Sequence, residues 1–129
     1  MINLTQHPAT WSNIVFIAPI IAAFYYELTY LGIIGLIGIA TSSLYHYYNE
    51  RKFYFADHAV SIILLVWSIW LVYRGGFEPK LLFYILLAFA ALAAYFLNTE
   101  EKGKYEIRHS YWHLFISVVG VLSIFIFVF

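Results

Sequence analysis

RHSYWHLFISVVGVLSIFIFVF, Arg108 to Phe129, joins two histidines four residues apart to an apolar run that continues to Phe129. A helix needs about 20 apolar residues to cross roughly 30 Å of hydrocarbon, and this stretch supplies them. It therefore reads as a membrane span with imidazoles at its mouth. Working outward, four further apolar stretches lie at about 11–28, 29–48, 57–73 and 79–97, so with 108–129 the chain has five. The polar runs NERK, RGGFEPK and NTEEKGKYEIR separate the later ones. Only ELTY around Glu27 stands between the first two, which requires a tight turn there. The expected fold is all-α and integral to the membrane, a single transmembrane helical domain over 1–129 built as a compact five-helix bundle.

Composition agrees with this reading. Hydrophobic residues make up 64% of the chain, charged residues 11%, and the mean hydropathy is +0.81, all outside the range of soluble globular domains. A formal net charge of zero gives no basic footprint for nucleic acid. The absence of cysteine excludes disulfides, thiolate metal sites and S-acylation, so any metal must rely on His, Asp or Glu. The N-terminal MINLTQHPATWSN has neither a basic n-region nor a cleavage site, and the first apolar segment is expected to be retained as a span; His7 within it carries no signal. Pro19 should kink that span, with a neighbouring helix satisfying the carbonyl it frees. Gly32, Gly35 and Gly38 form a close-packing face on the second span. Five spans put the termini on opposite sides. Arg51, Lys52, Lys102, Lys104 and Arg108 on one side outnumber Arg74 and Lys80 on the other, which places the N-terminus in the cytoplasm by the positive-inside rule.

This topology brings three helix ends to one level, and each carries a polar pair at helical spacing: Ser42 with His46, Asp57 with Ser61, His109 with His113. Residues i and i+4 share a helix face, and ionisable groups in membrane helices are functional candidates by default. Each pair also has a plainer reading. The histidines can anchor at the interface beside Tyr111 and Trp112, Asp57 can cap the third helix, and Ser42 can bond its own backbone. His58 points away from the Asp57 face and reads as interfacial. The coincidence of three pairs at one level favours a joint site. Three imidazoles suit Zn²⁺, which takes nitrogen ligands in tetrahedral geometry and keeps a fourth position open in catalytic sites. His46, His109 and His113 are the candidate metal ligands. Asp57 is placed to take a proton from an attacking water, Ser42 to hold that water or donate to a developing oxyanion, and Ser61 to support them.

The ordered set Ser-x3-His, Asp-x3-Ser and a late His-x3-His resembles the CREST superfamily of membrane hydrolases, which includes alkaline ceramidases, the progestin and adiponectin receptors and the haemolysin III proteins. The matching residues are Ser42 and His46, Asp57 and Ser61, and His109 and His113. HSYWHLF is similar to that family's last-helix signature, and WSN at 11–13 to the ceramidase first helix. SLYH and DHA look like the haemolysin III and receptor branch, whereas the eleven-residue step from His46 to Asp57 and the Trp before His113 look ceramidase-like. The family usually has seven spans and this chain has room for five. The acidic N-terminal segment with which alkaline ceramidases bind calcium is absent, since residues 1–10 contain no Asp or Glu, so calcium dependence is not implied. The resemblance implies zinc on the three histidines and hydrolysis of a lipid amide or ester.

The expected activity is that of an intramembrane zinc-dependent hydrolase of the cell membrane. Its lipid substrate, a ceramide-like amide or an ester, enters from the bilayer, and the zinc side faces the cytoplasm. A monomer with an open side and a cavity beneath the metal is the expected form. Two other classes use the same residues: a zinc-binding receptor-like or structural protein without turnover, and a haem-binding electron carrier. A serine hydrolase built from Ser42, His46 and Asp57 leaves His109 and His113 without a role.

Overall fold

The computed structural model describes residues 8–99 and 104–129, so His7 and Lys102 lie outside the described residues. The described residues form five helices: α1 (Pro8–Tyr25), α2 (Thr29–Tyr48), α3 (Arg51–Arg74), α4 (Lys80–Asn98) and α5 (Tyr105–Val128). No strand is present among the described residues, and the fold is an all-α bundle. Four of the helices are long and apolar enough to cross a membrane. The other, α2, is 20 residues long but ends in TSSLYHYY, which lowers its hydropathy while supplying part of the polar cluster described below.

Burial is inverted relative to a soluble protein. Apolar side chains such as Ile21, Val66 and Leu81 are 60–70% exposed, while the polar Asn13, Ser42, His46, His109, His113, Ser117 and Ser123 are buried alongside apolar residues such as Leu71 and Ile124. A largely apolar exterior of this kind suits lipid better than water.

The turns follow from local chemistry. Between α1 and α2, Glu27 adopts a left-handed φ of 62°. The Leu28 amide donates to the Ala23 carbonyl at 2.8 Å and the Glu27 amide to Phe24 at 3.2 Å, a Schellman ending that reverses the chain in three residues. The tight turn expected at ELTY is this one. α2 closes on Asn49, also left-handed at φ 52°, and α3 begins at Arg51. The helix thus starts six residues before the expected 57, because the basic and aromatic RKFYFA extends the helix beyond the apolar run. Its N-cap is Glu50. Asp57 is not a cap but lies in the second turn, facing other helices.

α5 is the centre of the bundle, packing against α1, α3 and α4, while α2 packs against α1 and α3. α4 packs extensively against α5 only. One apolar cluster joins Ala23, Leu31, Leu71 and Ile124 from α1, α2, α3 and α5. It ties the bundle at the end remote from the histidines. The glycine face of α2 is a packing face as expected: a Cβ at Gly32 would meet the Phe24 ring at 2.7 Å, one at Gly35 the Ile20 side chain at 2.7 Å, and one at Gly38 Val60 and Leu64 at 3.3 Å. Gly75, where the chain leaves α3, is tighter still, since a Cβ there would collide with the Ile126 backbone carbonyl of α5. Backbone cannot move aside as a side chain can. Gly75→Ala is therefore expected to lower stability by about 1–3 kcal/mol, the usual cost of overpacking, seen as a reduced midpoint in thermal unfolding in detergent.

Pro19 lies within α1, preceded by a short 3₁₀ turn over Asn13–Phe16. Proline lacks the N–H that would bond the carbonyl four residues earlier, that of Val15. The Ser117 hydroxyl of α5 donates to that carbonyl at 2.7 Å, the neighbouring-helix compensation expected from the sequence.

Candidate metal centre

The end opposite the apolar cluster gathers the start of α1, the last turn of α2, the second turn of α3 and the first turns of α5. His46 comes from α2, His109 and His113 from α5, one turn apart. The imidazole centroids are 4.6 Å apart for His46 and His109, 5.4 Å for His46 and His113, and 4.6 Å for His109 and His113. One nitrogen from each ring lies within 4.8 Å of the others. Tetrahedral bonds of about 2.0–2.1 Å put ligand nitrogens roughly 3.4 Å apart, which modest ring rotation reaches from here.

The donors suit a cation. His46 Nε2 is buried with no hydrogen-bond partner, and a buried orphan of this kind calls for an explanation. A metal ion supplies one. His113 is 1% exposed and is edged by Phe16 at 5.3 Å. Tyr105 stacks on His109 at 4.9 Å, with Trp112 at 5.1 Å. Aromatic walls of this kind limit solvent access and keep the local dielectric low.

Ser42, one turn deeper than His46, is buried, and its hydroxyl donates to Asn13 Oδ1 at 3.1 Å; Asn13 Nδ2 donates in turn to Ser43 Oγ at 3.1 Å. Asn13 is 1% exposed, so one amide clamps two serines of α2 to α1. Asp57 reaches the Ser42 hydroxyl from α3, its side chain 14% exposed and its Oδ2 4.0 Å from His58 Nδ1. His58 donates from Nδ1 to the Tyr54 carbonyl at 2.8 Å and packs against the Tyr54 ring at 3.9 Å; its side chain is exposed, as suits an interfacial residue. Ser61 is half-buried one turn beyond Asp57, and its side chain makes no hydrogen bond to another described residue.

The structure thus brings His46, His109, His113 and Ser42 together and adds Asp57 through Ser42. It leaves Ser61 at the margin. Two residues without an assigned role in the sequence reading belong here, Ser12 and Asn13 of WSN. Ser12 Oγ lies 2.7 Å from His113 Nδ1, a contact between residues 101 positions apart that no local pattern announces. An apolar groove of about 400 Å³ runs along Ile62, Ile63, Val66, Trp67 and Trp70. It centres on Val66, nine residues or two and a half turns from Asp57, and so on the opposite face of α3. This groove lies on the outer side of α3 and does not open beneath the histidines. Comparison of the chain with protein-family models, with characterised proteins and with solved structures gave no match.

Proposed function

We propose that the protein is an intramembrane zinc-dependent hydrolase of a lipid amide or ester. The observation that carries this reading is the convergence of three imidazoles around one point, with Ser42 one helical turn from His46 and Asp57 interacting with Ser42, in a bundle that otherwise exposes apolar side chains. Zinc held by His46, His109 and His113 would supply Lewis acidity towards a carbonyl and acidify a water. Asp57 would take the proton released by that water, and Ser42 would help to hold the water or donate to the developing oxyanion. The site lies within the first turns of α5, at the depth where a lipid's linkage meets its headgroup, with the basic-loop side in the cytoplasm. Resemblance of the three polar pairs to the CREST hydrolases supports the same chemistry.

Two features weigh against the alternatives. Ser42 donates to Asn13 and His46 Nε2 has no partner, so the serine–histidine bond of a serine hydrolase is not formed. Three rings at centroid distances of 4.6–5.4 Å favour a single ion over a porphyrin plane between them. The test is incubation of the purified zinc-loaded protein with ceramides and with glycerolipid esters, followed by mass-spectrometric detection of free fatty acid. Release that stops with a chelator and returns with zinc is expected. A zinc-loaded protein inert towards every lipid offered favours the receptor-like or structural reading instead.

A further inference from the structure

We propose that Ser12 is a positioning residue that fixes the tautomer of His113 and so presents its Nε2 lone pair to the metal; this rests on the three-histidine reading above. A hydroxyl has one proton. Ser12 Oγ lies 2.9 Å from the Ala9 carbonyl, which can only accept, so the proton is spent there. The 2.7 Å contact with His113 Nδ1 is then a hydrogen bond only if Nδ1 carries the hydrogen and Ser12 accepts it. In a neutral imidazole the other nitrogen is then bare. His113 is 1% exposed, so water cannot replace the serine.

The acceptor chain is itself anchored. Glu106 of α5 accepts the Ala9 N–H at 2.9 Å, which holds the first turn of α1 against α5 two turns before His113. Glu106, Ala9, Ser12 and His113 thus form one bracket between the two helices, with every hydrogen directed away from the metal side. Without Ser12, Nδ1–H loses this acceptor, and the imidazole is free to carry its hydrogen on Nε2, where the ion must bind. Partners of this kind typically change metal affinity by roughly 10–100-fold.

The test uses the full chain in detergent with ¹⁵N-labelled histidine, the His113 signals being assigned by their loss in His113→Gln. Metal-free wild type is expected to show His113 hydrogenated on Nδ1, and Ser12→Ala to lose that preference. Zinc affinity, measured by competition with a chromogenic chelator, should fall roughly 10–100-fold in Ser12→Ala and recover in Ser12→Thr, which keeps the hydroxyl. A metal-free wild type hydrogenated on Nε2, or a Ser12→Ala variant that binds zinc as tightly as wild type, overturns the assignment. Should wild type take up no zinc, the metal reading fails, and the tautomer measurement still decides the role of Ser12.

Discussion

Replacement of His113 by alanine is expected to strip the protein of zinc and of hydrolysis together. Structural zinc sites bind with about 10–16 kcal/mol shared over four ligands, so loss of one protein ligand costs about 3 kcal/mol or more, roughly 10²-fold or more in affinity. His46→Ala and His109→Ala should behave alike, because the three nitrogens lie within 4.8 Å of one another and each residue supplies one ligand atom. His113 carries the added cost of a cavity in the most deeply buried part of the site. The effect is read by metal content after dialysis and by thermal unfolding with and without zinc. Wild type should gain stability as zinc is added; the three variants should not.

Asp57→Asn separates what the histidine variants join. The substitution keeps the shape of the side chain and its reach to Ser42 but removes the charge that accepts a proton from the attacking water. Zinc should stay bound while turnover falls by about 10²–10⁴-fold. Ser42→Ala should be milder, at most on the order of 10²–10³-fold, since Asn13 retains Ser43 as a partner on α2. Metal content and fatty-acid release measured on the same preparations distinguish these cases. An Asp57→Asn protein as empty of zinc as His109→Ala would make Asp57 a ligand and not a base.

How much of this is legible in the sequence depends on the range of the interaction concerned. The helices are legible because lipid demands long apolar runs, and α4 and α5 announce themselves by LLFYILLAFAALAAYFL and by the run after His113. Their ends are less so. The start of α3 is hidden because Arg51, Lys52 and Tyr54 look like loop residues, although such side chains also suit a helix that emerges into the interface. The i, i+4 pairs are legible as shared faces, and the topology indicates that three of them meet at one end. Ser12 and Asn13 are a different case. Their roles depend on α1 lying beside α5 and α2 at particular rotations, across sequence separations of 101 and 29 residues. Nothing in WSN itself has a period or spacing that carries this. The partner of the Ser42 hydroxyl on α1 is hidden for the same reason.

The central claim is that His46, His109 and His113 hold a metal ion, and metal analysis of the purified chain tests it most directly. Inductively coupled plasma mass spectrometry of protein prepared without chelators should find about one zinc ion per chain, as a closed set of three protein nitrogens with one open position requires. The same preparation of His46→Ala should contain almost none. Wild-type protein that stays metal-free after incubation with zinc and removal of the excess, while remaining folded, would contradict the account.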